Sequence, residues 1–204
     1  MDISADLTEL GRTNVAVICS GPKAFLDLGK TLEYLETQGV FVSTFGKRGG
    51  KVEFPAFYSR GSGILSPNVV ETPKEAAAII RMSPPPIPNT VGSVRELIAI
   101  VFLDASRALG LSSGLLFCNP VPAEHEIPSS KISAIIAEAV EKARKEGVTG
   151  KDNTPYILAR IKEKSKGRSI AANKALVMDN AKVGAQVAVE LVGLQGSVVG
   201  RIGF

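Results

Sequence analysis

The stretch VAVICSGPKAFLDLG, residues 15–29, joins an apolar run to a helical pattern through an abrupt break. Its first five residues are apolar and rich in branched side chains, which predicts a buried β-strand. Ser20, Gly21 and Pro22 then interrupt the run, since glycine and proline are the strongest breakers of regular structure. Apolar residues recur at helical spacing beyond the break, so the stretch predicts a strand, a corner and a helix.

Lys23 lies at that corner, among apolar neighbours. A lysine there is costly unless its amine is partnered or used, and desolvation lowers the pKa of such a lysine toward a neutral form. A neutral amine is the nucleophile that forms a Schiff base with a carbonyl group. The structural alternative, which this stretch alone favours, is a lysine whose stem packs at a helix start while its charge reaches water.

The rest of the chain continues this alternation of strands and helices. A helix starting at Thr72 is predicted because threonine is a good N-cap and Pro73 suits the first helical turn. The other predicted elements are strands at residues 40–45 and 115–118, helices at residues 24–38, 155–165 and 170–192, and one more helix capped by Ser129 or Ser130. The pattern predicts an α/β fold with three layers.

The composition is that of an ordinary globular protein, and 204 residues make one domain the simplest organisation. The basic residues are scattered without interleaved aromatic residues, which argues against nucleic-acid binding. Neither a signal peptide nor a membrane-spanning run is predicted. Cys19 and Cys118 lie in apolar runs, so free buried thiols and a reducing, cytoplasmic location are expected. Two cysteines and one histidine are too few for a zinc site.

The chain opens with two carboxylates four residues apart. Asp2 and Asp6, with the hydroxyl group of Ser4 between them, suit a hard cation bound through oxygen, or a sugar hydroxyl group. The structural alternative is a helix N-cap formed by Ser4 or Asp6.

Two asparagines stand out in the last predicted helix. Asn173 and Asn180 are seven residues apart, so they share a helix face that is otherwise apolar and is predicted to be buried. The apolar members of that face are Leu176, Val177, Gly184, Val187, Ala188 and Leu191. A buried asparagine must find hydrogen-bond partners, and the pattern leaves open whether these are nearby backbone groups or a substrate.

Two local patterns permit competing interpretations. Residues 24–31 fit a loose P-loop pattern ending in Gly-Lys-Thr, but a P-loop needs small residues whose N–H groups wrap phosphates. This stretch carries bulky side chains at helical spacing, so a nucleotide hydrolase is the least favoured function. The aromatic residues at 54–58, beside Arg60, suit either a lid over a bound base and phosphate or a loop anchored in the core. His125 is expected in an exposed loop.

The segments DISADLTEL, residues 2–10, and TNVAVICSGPKAFLDLGKTLEYLETQGV, residues 13–40, together resemble the pseudouridine-5′-phosphate glycosidase family, also called indigoidine synthase A-like proteins. Further similar stretches follow in the family's order. They are EFPAFYSRGSG at residues 53–63, GLLFCNPVPAEHEIP at 114–128, GKDNTPYILARIKE at 150–163 and SIAANKALVMDNAKVGAQVAVEL at 169–191.

The resemblance implies the three-layer α/β/α sandwich of the indigoidine synthase A-like type. It also implies an enzyme that reversibly cleaves the C–C glycosidic bond of pseudouridine 5′-phosphate to uracil and ribose 5-phosphate. Lys23 matches the family's Schiff-base lysine, and Asp2 matches a position that holds a divalent cation, expected to be Mn²⁺, largely through waters. Ser4, Ala5 and Asp6 match positions that contact the sugar phosphate.

The resemblance further implies a substrate contact from the last helix and a homotrimeric assembly. An asparagine of that helix contacts the substrate near the catalytic lysine in the family. Asn173 matches its position best, and Asn180 is the second candidate.

The departures from the family predict a single partial domain, residues 1–204. Family members carry a substantial portion before DISADL, which supplies a general-acid glutamate and a phosphate-contacting lysine. Residues 82–106 have no recognised counterpart and are interpreted as an insertion, and residues 193–204 as an atypical tail. The chain alone is therefore expected to be inactive, and a non-catalytic remnant is the alternative function.

Overall fold

The computed structural model describes residues 5–23, 25–81 and 113–199, including side chains except at residues 151 and 195–199. The strands are β1 (Ala16–Cys19), β2 (Phe41–Phe45), β3 (Val69–Val70) and β4 (Leu115–Cys118). The helices are α1 (Ala5–Arg12), α2 (Leu28–Thr37), α3 (Pro73–Arg81), α4 (Ser129–Lys145), α5 (Asn153–Lys164) and α6 (Arg168–Val199), with short 3₁₀ turns at Ala123–His125 and Gly150–Asp152.

The four strands form one parallel sheet in the order β1-β4-β2-β3. All four residues of β4 are buried, because this strand pairs on both edges and is covered on both faces. A continuous apolar run such as LLFC is what a parallel strand in that position requires. Among the described residues β1 pairs only with β4, so it forms one edge of the sheet.

Helices cover both faces of the sheet. On one face Leu10 of α1 and Leu32 and Leu35 of α2 pack with Leu116 and Cys118. On the other face, a cluster joins α3, α6 and the alternate residues of β4, and its buried members are Val70, Ala76, Ala77, Leu115, Phe117 and Val187. The side chains of successive strand residues point to opposite faces, which explains the division. The predicted three-layer α/β/α architecture is confirmed.

A second apolar core lies beside the sheet, where α4, α5 and the start of α6 meet. Its buried members include Tyr58, Ile127, Ile132, Ile136, Ile157, Ile161 and Ala172. Outside this core the helices carry mixed charges at their surface, such as the ion pair between Lys164 of α5 and Glu138 of α4 at 2.7 Å. Several basic residues of α4 and α5, among them Lys142, Arg144 and Lys164, thus lie on solvated helix faces with acidic partners.

The structure moves several predicted helix ends. α2 begins at Leu28 rather than at residue 24, because the side chain of Asp27 accepts a hydrogen bond from the Lys30 N–H and caps the helix there. The prediction of a serine cap for α4 is wrong. Pro128 is the N-cap residue, without a side-chain bond, and its carbonyl group accepts from the N–H groups of Lys131 and Ile132.

Other predicted boundaries agree with the structure or extend beyond it. The Thr72 cap is confirmed, since its hydroxyl oxygen accepts from the Glu75 N–H at 3.2 Å. α6 continues to Val199, past the predicted end at residue 192, so the start of the predicted atypical tail is helical. The predicted insertion, residues 82–106, lies outside the described residues. None of the described helices is long and apolar enough to cross a membrane.

Candidate active site

Lys23 lies on the loop that follows β1, at the carboxyl end of the sheet. Ser20, the first residue after the strand, is only 2% exposed, and Lys23 is half-buried. Gly21 has a left-handed backbone, with φ at +83°, and a Cβ added there would overlap the carbonyl oxygen of Pro55. Only glycine combines this conformation with so close a neighbour, which is why the strand ends in Ser-Gly-Pro.

Backbone hydrogen bonds attach this loop to two neighbouring segments. The carbonyl group of Cys19 accepts from the Asn119 N–H at 2.6 Å, and the carbonyl group of Ser20 accepts from the Phe57 N–H at 2.9 Å. The loop therefore leaves the sheet between the end of β4 and the aromatic segment. Ligands of open parallel α/β sheets bind outside the carboxyl ends of the strands, and Lys23 occupies that region.

Four polar side chains converge beside the loop, and we call Ser20, Asn119, Asp179 and Asn180 the polar cluster. Asn119, which is 8% exposed, donates through its amide nitrogen to Asp179 Oδ2 at 2.8 Å and to Asn180 Oδ1 at 3.2 Å. The Ser20 hydroxyl group donates to the same Asn180 oxygen at 3.2 Å. The cluster thus links the ends of β1 and β4 to the middle of α6.

Close packing between α6 and β1 lets the polar cluster form. Gly184 of α6 lies so near the strand that a Cβ added to it would come 3.7 Å from Ile18 Cγ1. One turn earlier, Asn180 is half-buried against Ser20. A small residue at the contact therefore brings the helix close enough for its asparagine to reach the loop.

Asn173 has a different environment from Asn180. It is exposed, on a groove of about 250 Å³ whose other lining residues are Tyr58, Leu158, Ala159, Lys162, Ser169 and Ile170. The prediction that one face of α6 buries both asparagines is wrong in part, because Leu176 and Val187 are buried whereas Val177 is 57% exposed. Positions seven apart differ by only about 20° around a helix, so the difference lies in what each part of α6 packs against: Asn180 meets Ser20 and Asn119, whereas Asn173 faces the open groove.

The acidic start of the chain is only partly described. Asp2 and Ser4 lie outside the described residues, while Ala5 and Asp6 form the exposed first turn of α1. An acidic side chain in the first turn is favourable because of the helix dipole. Within the described ranges no group of three His, Cys, Asp or Glu side chains could hold a metal ion. The predicted roles of Asp2, Ser4, Ala5 and Asp6 stay predictions.

The structure decides between the two interpretations of the aromatic segment. Phe54 and Tyr58 are buried, Arg60 Nη1 donates to the Val121 carbonyl oxygen at 2.7 Å, and the Ser59 hydroxyl group donates to the Ile127 carbonyl oxygen at 2.6 Å. A segment held in this way is anchored in the core, and the lid interpretation is wrong. His125 lies in an exposed 3₁₀ turn, as predicted.

The P-loop pattern does not have the geometry of a phosphate site. Lys30 pairs with Asp27 at 2.9 Å, and the Thr31 hydroxyl group donates to the Asp27 carbonyl oxygen at 2.8 Å. Both side chains that would contact a nucleotide and its metal ion are thus used to begin α2.

Sequence reasoning missed Asn119 and Asp179 as members of the site. Asn119 directly follows the run LLFC, so it stands at a strand end in the same way as Ser20 does at the end of β1. The rule that ligands bind beyond the carboxyl ends of parallel strands could have identified it. Asp179 had no comparable signal, because its role depends on which face of α6 meets the sheet.

Comparison with known proteins places this chain in a family. The family described as "Indigoidine synthase A like protein" matches residues 1–86 and 83–190, so this chain belongs to that family. The two matched stretches overlap at residues 83–86, and together they span the predicted insertion at residues 82–106, which stays a prediction.

Three curated relatives carry the name pseudouridine-5′-phosphate glycosidase. Their sequences are identical to this chain at 46% of aligned positions for the protein from Solibacter usitatus, 45% for that from Methylobacterium nodulans and 41% for that from Arabidopsis thaliana. The matches cover 93%, 97% and 94% of this chain, but only 54%, 50% and 50% of those proteins. The chain therefore spans about half the length of the curated relatives it matches.

Two solved structures share the fold. An indigoidine synthase A-like protein from Thermotoga maritima matches 94% of this chain and 54% of its own, with 30% identity and a TM-score of 0.68. The prealnumycin C-glycosynthase, solved in complex with ribulose 5-phosphate, matches 96% of this chain and 56% of its own, with a TM-score of 0.75. Its 23% identity makes this second likeness evidence of fold alone.

Proposed function

We propose that this chain provides the Schiff-base lysine of a pseudouridine-5′-phosphate glycosidase, an enzyme that reversibly converts pseudouridine 5′-phosphate to uracil and ribose 5-phosphate. The observation that carries the proposal is the half-buried Lys23 at the carboxyl end of β1, on a loop held by the polar cluster. The names of the relatives support a sugar phosphate as substrate.

The chemistry of the substrate explains why a lysine is required. An ordinary glycosidase protonates a heteroatom leaving group and passes through an oxocarbenium-like state, but a C-glycoside offers no such leaving atom. An amine bonded to C1 of the opened sugar can donate its lone pair as the C–C bond breaks, so that C1 is released as an imine. The bonding pair passes to C5 of uracil, which takes up a proton. In this proposal Lys23 is that amine, and the polar cluster holds its loop at the sheet end.

Reductive trapping tests the proposal without requiring complete turnover. Ribose 5-phosphate in its open form has an aldehyde, which a nucleophilic lysine converts to an imine and borohydride reduces to a stable secondary amine. We expect the chain to gain one reduced sugar phosphate, mapped to Lys23 by peptide mass spectrometry. No adduct, or an adduct spread over surface lysines, would contradict the assignment and leave a non-catalytic remnant as the better description.

The roles of Asn173 and Asn180 can be distinguished by measuring both the stability of each variant and its rate of trapping at Lys23. Asn180→Leu removes the acceptor shared by Ser20 and Asn119, so we expect it to lower the free energy of unfolding by about 1–3 kcal/mol. Asn173 is exposed, so Asn173→Ala should change stability by less than about 0.5 kcal/mol. Urea unfolding measures both values.

The trapping rate then shows which asparagine affects the reaction. If Asn173 contacts the sugar phosphate, as the family resemblance implies, Asn173→Ala should slow trapping at Lys23 although stability is unchanged. If trapping were normal in Asn173→Ala but slow in a folded Asn180→Leu protein, the substrate contact would be assigned to Asn180 instead.

For the metal, we propose that Asp2 holds a divalent cation, largely through waters, beside the sugar-phosphate contacts of Ser4, Ala5 and Asp6. The donors there are carboxylate and hydroxyl oxygens, which suit Mn²⁺ or Mg²⁺ better than zinc. Such an ion would neutralise phosphate charge when bound. Ala5 and Asp6 start α1, so the helix N-terminus would favour the same anion.

Chelation provides the test of that ion. We expect EDTA to slow trapping of ribose 5-phosphate at Lys23, and Mn²⁺ but not Zn²⁺ to restore it. Asp2→Asn should reproduce the slow rate in the presence of excess Mn²⁺. An EDTA-treated protein that traps at the original rate would exclude the proposed metal role.

We also propose self-association, with the homotrimer implied by the family resemblance as the expected form. Four apolar side chains of α6, namely Val177, Met178, Val189 and Val192, are 57–71% exposed, and exposed apolar surface of this kind favours protein contacts. Sedimentation equilibrium should give a mass of three chains, and a strictly monomeric protein would contradict this proposal.

A further inference from the structure

Cys19 and Cys118 are direct partners across the pair of β1 and β4. They occupy matching positions of the parallel register, and their side chains belong to the same apolar cluster on one face of the sheet. Neighbouring strands lie about 4.7–4.9 Å apart, and disulfides join residues whose Cα atoms are about 4.4–6.8 Å apart. The two cysteines therefore have the spacing of a disulfide while both are free thiols.

The two sulfurs differ in exposure and in hydrogen bonding. Cys118 is completely buried, whereas Cys19 is partly exposed. The Cys19 sulfur accepts two hydrogen bonds, one from the Cys118 thiol and one from the Gly21 N–H at 3.3 Å. The hydrogen bond from Cys118 lowers the pKa of the Cys19 thiol. The bond from Gly21 lowers it as well, whereas burial raises it. The interaction with Cys19, together with burial, raises the pKa of Cys118.

We propose that Cys19 and Cys118 are a peroxide-oxidised dithiol whose disulfide changes the loop that carries Lys23. The Cys19 thiolate attacks one oxygen of hydrogen peroxide, the O–O bond breaks, and a sulfenic acid and water result after proton transfer. The Cys118 sulfur then attacks the Cys19 sulfur and displaces the hydroxyl group as a second water. Two thiols are oxidised to one disulfide, and the peroxide is reduced to two waters.

The consequence for the loop follows from the same contacts. The Gly21 N–H uses the Cys19 sulfur as its acceptor at 3.3 Å, and an S–S bond of about 2.05 Å draws that sulfur toward Cys118 and away from this contact. Gly21 is two residues from Lys23, and its close approach to Pro55 leaves little room for adjustment. Oxidation should therefore weaken the attachment of the loop at one point. This inference does not depend on the proposed glycosidase activity.

Thiol counting tests the disulfide directly. The reduced chain is treated with an equimolar amount of hydrogen peroxide, then unfolded and alkylated with N-ethylmaleimide. We expect the oxidised chain to take no label, its mass to fall by two hydrogen atoms, and peptide mapping to join Cys19 to Cys118. Dithiothreitol should restore two labelled thiols. Two labelled thiols after peroxide, or a disulfide between separate chains on a non-reducing gel, would overturn the proposal.

Single variants then test the order of the two sulfurs. Cys118→Ser should stop at a sulfenic acid on Cys19, which dimedone traps, whereas Cys19→Ser should leave Cys118 as a thiol under the same treatment. Equally fast oxidation of Cys118 in Cys19→Ser would exclude Cys19 as the first nucleophile. In the wild-type chain, hydrogen exchange at the Gly21 amide should accelerate on oxidation, and an unchanged rate would exclude the effect on the loop.

Discussion

Replacing Lys23 with arginine should remove the ribose 5-phosphate adduct completely. Arginine keeps the positive charge and much of the length of lysine, but its guanidinium group stays protonated and cannot form an imine. In any form of the protein that releases uracil from pseudouridine 5′-phosphate, the same change should lower the rate by about 10⁴-fold or more, as expected for loss of a covalent nucleophile. Borohydride trapping and uracil release measure the two effects.

Lys30→Arg is the matched control for this substitution. Lys30 lies seven residues further along the chain, but it is exposed and paired with Asp27. Arginine can keep that ion pair, so trapping at Lys23 should be unchanged. Undiminished trapping in Lys23→Arg would refute the nucleophile, and equal losses in both variants would mean that the loss of trapping is not specific to Lys23.

Gly21→Ala should be strongly destabilising, by about 3–5 kcal/mol. Two costs combine at this position. The left-handed backbone, with φ at +83°, is unfavourable for alanine, and the new methyl group overlaps the Pro55 carbonyl oxygen, so backbone must move. Because the Ser20 carbonyl group accepts from the Phe57 N–H and the Cys19 sulfur accepts from the Gly21 N–H itself, that movement disturbs the Lys23 loop as well. Urea unfolding should show the loss.

Gly147→Ala separates the two costs. Gly147 also has a left-handed backbone, with φ at +68°, but an added Cβ there meets no atom within 4 Å. The free energy of unfolding of this control variant should therefore fall only by what the left-handed backbone costs alanine, about 1–2 kcal/mol. If both variants lost the same free energy of unfolding, the contact with Pro55 would have no role in holding the corner.

Local sequence was enough to predict most of the secondary structure and the position of the catalytic candidate. The run LLFC becomes the central strand because a continuous apolar run satisfies burial on both faces. Thr72 caps α3 because its hydroxyl group reaches a helix N–H three residues ahead. Lys23 stood out because glycine and proline end a strand directly before it, and the family resemblance then made it the catalytic candidate. Each of these signals depends on residues that are close together in the chain.

Only the tertiary structure decided which distant groups meet. β4 lies between β1 and β2, and this order places Asn119 beside the end of β1 and Cys118 opposite Cys19. Ser20 and Asn180 are 160 residues apart in sequence and still share a hydrogen bond. Such pairings depend on how helices pack across the sheet, as Gly184 does against Ile18. Local propensity contains no term for that packing, so it could not distinguish Asn180 from Asn173.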